Sequence, residues 1–156
     1  MRDVHQWFDG YSRDHQNPTN RGIHWICVPV ILWCVIAALW AIPVPAAFAR
    51  PGLWGGVAMF LAWVFYWRLS RPLGLAMLAL FVVFGFIAHL AFVALGPRHL
   101  LVLAAALFVA AWIGQFVGHR IEGRRPSFLT DLAYLLIGPA WLMGKLMARA
   151  HRLLSA

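Results

Sequence analysis

From Gly22 to Ala49 the chain runs for twenty-eight residues with only His24 interrupting its apolar character. Crossing the hydrocarbon core of a bilayer takes about 20 apolar residues in a helix, which satisfies all its backbone hydrogen bonds internally. The run far exceeds the apolar segment of a cleavable signal and follows twenty-one largely polar residues, so it reads as a retained membrane span. Three more runs follow. Pro43, Pro45, Pro51 and Gly52 form a turn around Arg50, separating a first span at 22–41 from a second at 53–69. The second ends in Trp63, Tyr66, Trp67 and Arg68, an aromatic belt followed by a charge, as expected at a membrane interface. Arg71-Pro72 leads into a third span at 73–95, and Gly96-Pro97-Arg98 joins it to a fourth at 100–118.

Apolar residues make up 63% of the 156 and charged residues 12%, a balance that excludes an ordinary soluble domain. No linker, repeat or low-complexity tract divides the chain, which predicts a single domain over residues 1–156, an all-α membrane bundle of four transmembrane helices. Two interfacial helices complete it. Val4, Trp7, Phe8 and Tyr11 repeat at i, i+3, i+4 and i+7, the spacing of one apolar helical face. Asn17-Pro18 breaks that helix, and Asn20 is expected to cap the next, which puts His24 in its first turn. At the other end Leu132 to Gly144, interrupted by Gly138-Pro139, is too short to span and reads as a re-entrant or interfacial helix.

The formal charge of +8 is scattered at the ends of apolar runs and forms no basic stripe, so no nucleic acid partner is expected. Arg2, Arg13, Arg21, Arg68, Arg71, Arg120, Arg124, Arg125, Lys145, Arg149 and Arg152 fall on one side of a four-span topology, with only Arg50 and Arg98 on the other. That bias places both termini in the cytoplasm. Cys27 and Cys34 lie seven residues apart on one helical face, about 10 Å from each other, and read as reduced packing residues. No phosphate-binding loop or nucleophile elbow is present, which argues against an ATP-driven function.

The same topology brings two distant boundaries to one membrane face: His15 and His24, where the polar leader ends, and His119 and Glu122, where the fourth span ends. Gln115, His119 and Glu122 share a helical face by their spacing. Three imidazoles and a carboxylate with open positions is a ligand set suited to non-haem Fe(II) and oxygen, although imidazole also suits Zn, Cu and Ni. Two blander readings stay open at this point: a histidine rests comfortably at an interface without a metal, and Glu122 has Arg120, Arg124 and Arg125 nearby to pair with. His89 lies seventeen residues past Pro72, about 25 Å along its helix and, in a simple topology, too far to join the others; an interhelical hydrogen bond is expected of it, with metal ligation the lesser alternative.

His15, Asn17, Pro18, Asn20, Ile23, His24, Val28 and Pro29 resemble an H-x-N-P-x-N-x-x-I-H-x-x-x-V-P signature, and Trp112, Gln115, Phe116, Gly118, His119, Glu122 and Pro126 a W-x-x-Q-F-x-G-H-x-x-E-x-x-x-P block. Together they are similar to the 2-hydroxy-fatty-acid dioxygenase family, named in yeast for metabolism of phytosphingosine to odd-numbered fatty acids. In the fungal branch the glutamate stands one residue farther from the histidine; the R-R-P-S-F-L-x-D-L and L-I-G-P-A-W blocks look bacterial, which implies a bacterial inner membrane. The resemblance implies an Fe(II)-dependent dioxygenase that shortens a 2-hydroxy fatty acid by one carbon, with O₂ and without 2-oxoglutarate. A 2-hydroxy carboxylate chelates iron through two oxygens, and three protein ligands then leave one position for O₂. On this reading His15, His24 and His119 bind the metal, with Glu122 a fourth ligand or an outer partner. Asn17, Asn20, Gln115 and Asp131 are candidates to orient the imidazoles, and Arg21, Arg120, Arg124 and Arg125 to meet the substrate carboxylate while its tail lies in membrane lipid. The competing expectation is a non-enzymatic lipid- or metal-binding membrane protein.

Overall fold

The computed structural model describes residues 4–45, 50–123 and 128–155. It is all-helical among these residues: α1 (Val4–Asp14), α2 (Pro18–Trp40), α3 (Leu53–Leu69), α4 (Arg71–Glu122) and α5 (Phe128–Leu154). α2 lies at the centre, in contact with α3, α4 and α5.

The start of α2 corrects one expectation. Asn17, not Asn20, is the cap: its backbone is extended (φ −69°, ψ 127°) and its side-chain oxygen accepts from the N–H groups of Thr19 at 2.9 Å and Asn20 at 3.4 Å. Pro18 occupies the first helical position, where its ring presets φ and its missing N–H costs nothing. The helix therefore begins four residues before Gly22, His24 falls in its second turn, and the fully buried Asn20 side chain is free for another task.

α4 is broken at Gly96, whose φ of 74° and ψ of 168° are not helical and are readily adopted only without a Cβ. Gly85 packs on Trp40 near the end of α2, whereas Gly118 packs on Asn20 near its start. As straight helix those thirty-three residues would cover about 50 Å, against about 30 Å between Asn20 and Trp40, so the two arms run in opposite directions along α2. Glycines bring the backbones close: a Cβ on Gly114 would sit 2.8 Å from the Cys27 sulfur. Trp40 occupies the space over Gly52, Gly55 and Gly85.

Two helices, Pro18–Trp40 and Arg71–Glu122, are long and apolar enough to cross a membrane by length and composition, and Leu53–Leu69 is a shorter apolar helix. Phe60, Val82, Phe86, Val93, Val102, Val109 and Ile113 are exposed on the outer faces of α3 and α4, a surface that suggests association with a membrane. α5 is longer than the Leu132–Gly144 stretch expected from sequence, continuing through Pro139 to Leu154. The Tyr66 hydroxyl donates to the Leu136 carbonyl at 2.7 Å, so a neighbouring helix supplies a donor in the turn that the proline disturbs.

Candidate metal centre

His15 lies on the three-residue connection between α1 and α2, His24 on α2 and His119 near the end of α4. The first two are almost fully buried. His15 Nδ1 stands 2.8 Å from the Tyr11 carbonyl oxygen and His24 Nδ1 3.0 Å from that of Asn20. A carbonyl only accepts, so each Nδ1 carries the proton and each Nε2 presents a lone pair. Those two Nε2 atoms face one another at 3.1 Å. Neutral acceptors at that distance repel unless a cation or an added proton joins them. Two imidazoles bound at right angles to one ion, each at about 2.1 Å, would hold their nitrogens about 3.0 Å apart, which matches the spacing. His119 completes the group: one ring nitrogen from each of the three histidines lies within 4.8 Å of the others. The His15–His24 pair thus fits a metal ion by separation and by tautomer, and His119 stands near enough to be a candidate third donor.

α1 and α5 hold His15 in place. The Tyr11 ring stacks on the His15 imidazole with centroids 4.1 Å apart and planes 9° from parallel. Trp141 packs on Tyr11 at 5.1 Å, and its indole N–H donates to Ser12 Oγ at 2.8 Å. The sequence marks Tyr11 only as part of the apolar face of the first helix and assigns neither aromatic residue to the site, although Tyr11 stands one helical turn before His15, the usual reach of an i, i+4 contact.

The Glu122 carboxylate is not in the histidine cluster. It accepts from the backbone N–H of Gln16 at 2.8 Å, from that of Asn17 at 3.0 Å and from Asn20 Nδ2 at 2.9 Å. It therefore fastens the His15 connection to the end of α4, across more than a hundred residues of sequence. Asn17 caps α2 and the Asn20 amide holds Glu122, and among the described residues neither side chain hydrogen-bonds an imidazole; the main-chain carbonyl of Asn20 does. Arg21 and Arg120 are exposed and neither lines the cavity described below. Arg124, Arg125 and the side chain of Asp131 lie outside the described residues. His89 is exposed with its ring 6.1 Å from that of Trp40, remote from the other three, and among the described residues it makes no hydrogen bond in place of the interhelical one expected.

A cavity of about 170 Å³ opens from the histidines. Its polar end has His15, His24, His119, Tyr11, Trp112 and Gln115, and its walls are Val28, Ile31, Leu32, Val35, Ile36 and Leu39 of α2 with Ala58, Met59 and Ala62 of α3 and Phe81 of α4. The α2 positions recur every three or four residues, one helical face from His24 to Leu39. Fifteen residues of helix give this face a length of about 22 Å. The site is polar at one end and apolar along the rest.

A family profile described as 2-hydroxy-palmitic acid dioxygenase Mpo1-like matches residues 1–150. A Saccharomyces cerevisiae protein named 2-hydroxy-palmitic acid dioxygenase MPO1 is 30% identical over 147 residues, covering 92% of this chain and 79% of the relative. No solved structure matches.

Proposed function

This chain belongs to the 2-hydroxy-palmitic acid dioxygenase Mpo1-like family, and we propose that it is itself an Fe(II)-dependent dioxygenase that shortens long-chain 2-hydroxy fatty acids by one carbon without 2-oxoglutarate. The observation that carries this reading is the pair of Nε2 lone pairs held 3.1 Å apart at the polar end of an apolar channel. His15, His24 and His119 would hold the metal, and Glu122 would act as the latch that keeps His15 over the site and not as a fourth ligand. When bound, Fe(II) supplies the redox chemistry that lets O₂ react with an otherwise inert alcohol.

The protein's own part is to fix and to enclose. The backbone carbonyls of Tyr11 and Asn20 keep two imidazoles in the ligating tautomer, and the stacked Tyr11 ring and Trp141 limit the access of water to His15. The apolar face suits the tail: at about 1.25 Å of advance per C–C bond, the roughly 22 Å of α2 from His24 to Leu39 is comparable to an extended saturated chain of about 16 to 18 carbons. Stoichiometry supports independence from a co-substrate. A 2-hydroxy acid and one O₂ balance to the acid one carbon shorter, CO₂ and water; the substrate supplies all four electrons that O₂ takes up. We further propose four membrane passes, α2, α3 and the two arms of α4, in a bacterial inner membrane with both termini cytoplasmic, a reading supported by the arginine bias.

Two measurements test the proposal. Purified protein should carry one metal per chain, lost in His24→Ala. Membranes supplied with 2-hydroxyhexadecanoate, Fe(II) and O₂ should yield pentadecanoic acid with no 2-oxoglutarate added. Retained metal in His24→Ala would remove the site, and metal binding without odd-chain product would favour a non-enzymatic lipid- or metal-binding protein.

A further inference from the structure

Besides the single indole N–H of Trp112, Gln115 is the one side chain at the polar end of the cavity whose chemistry the reading above leaves unused. It projects from α4 one turn before His119 and lines the cavity beside the three histidines. Among the described residues its carboxamide has no hydrogen-bond partner. The side chain is half-buried at the polar end of the cavity, and a polar group left there without a protein partner is available to pair with a ligand. The expected task of orienting imidazoles is taken elsewhere, since His15 and His24 use backbone carbonyls.

The needs of the proposed substrate match this gap. A 2-hydroxy acid brings a carboxylate into the channel, and among the described residues no Lys or Arg lines it. Neither His15 nor His24 can donate from Nε2, because the proton of each sits on Nδ1. The Tyr11 hydroxyl lies against Gly138 of α5, where an added Cβ would be 3.3 Å from it. The Trp112 indole nitrogen is buried with no partner within the wall. Gln115 alone brings two N–H donors that are open to the cavity.

Resting on the proposed function, we infer that the Gln115 carboxamide donates to a carboxylate oxygen of the 2-hydroxy fatty acid and so sets the orientation of its head group, the task assigned from sequence to the arginines. A neutral donor recognises the anion without the desolvation cost of burying a cation. It would also select acids over alcohols of the same length, because a site built around a hydrogen bond rejects the analogue that cannot make it.

The test is direct binding under anaerobic conditions, with metal-loaded protein in nanodiscs and two probes, 2-hydroxyhexadecanoate and hexadecane-1,2-diol. The diol keeps two vicinal oxygens and the tail but lacks the carboxylate. In Gln115→Leu the acid should weaken by about tenfold to a hundredfold while the diol is nearly unchanged and metal content stays at the wild-type level. Gln115→Glu, which sets a like charge against the carboxylate, should weaken the acid further and again spare the diol. Equal weakening of both probes, no weakening of the acid in either variant, or loss of metal from both variants would overturn the inference. Wild-type protein that binds neither probe would defeat the functional reading and this inference with it, whereas wild-type binding with an unchanged acid-to-diol ratio in the variants defeats the inference alone.

Discussion

Replacing Glu122 with Gln tests whether this residue is a ligand or a latch. The carboxylate receives three N–H donors at 2.8 to 3.0 Å, from Gln16, Asn17 and Asn20. A carboxamide keeps one oxygen, which still reaches Asn17 and either Gln16 or Asn20, and turns its own N–H₂ toward the third donor, so one donor loses its acceptor and the two survivors are no longer charge-assisted. Hydrogen bonds to charged groups contribute about 1.5–3 kcal/mol each when sheltered, and less where water can substitute, as at the exposed Gln16. A net weakening of about 2–3 kcal/mol for the docked His15 connection is reasonable, which is about 30- to 150-fold in the ratio of docked to undocked. On the proposed function the metal would be held by three imidazoles only in the docked state, so its apparent dissociation constant should rise by about 10- to 100-fold, with one ion per chain still bound at saturation. Competition with a chromophoric chelator, using Zn(II) or anaerobic Fe(II), reads this directly, with His119→Ala as the reference for a lost ligand. Binding as weak as in His119→Ala would make Glu122 a ligand. Wild-type affinity would show that the latch does not govern His15, and either result refutes the reasoning.

Other expected outcomes follow from the packing. Gly118→Ala places a methyl group against the Asn20 side chain and should mimic Glu122→Gln in metal affinity, because Asn20 is one of the three donors; a chelator titration identical to wild type would count against it. Ala62→Phe adds a ring to the channel wall and should shift the preferred substrate to shorter chains without loss of metal, seen as a changed product profile across 2-hydroxy acids of graded length. Gly52→Ala introduces a Cβ at φ +91° and into the Trp40 ring, at a cost of about 2 kcal/mol or more; it should lower the thermal midpoint while leaving metal content at the wild-type level, and an unchanged midpoint would contradict the packing.

The gathering of His15, His24 and His119 could be read from sequence because they stand at predictable places. His24 and His119 lie at the ends of apolar runs, and run length is a local, additive property. The arginine bias then put both ends on one expected face. Asn17-Pro18 announced a helix boundary, yet which asparagine capped it was misread, because both are good caps and the choice turns on Pro18 presetting the first turn. Glu122 shows the limit of spacing as evidence. An i, i+3 relation to His119 tells which face the carboxylate shares, but a ligand and a latch differ by a few ångströms set by where the His15 connection docks.

From sequence alone the chain was legible as apolar helices with histidines at their polar ends, since hydropathy and helical periodicity depend only on neighbours along the chain. The break at Gly96 falls at the turn that Gly96-Pro97-Arg98 marks in the sequence, whereas only the tertiary structure decided that Glu122 meets backbone N–H groups and that Gln115 is left facing a cavity. Each of these is fixed by contact between segments distant in sequence, where a glycine against a tryptophan or an asparagine determines how closely two helices approach.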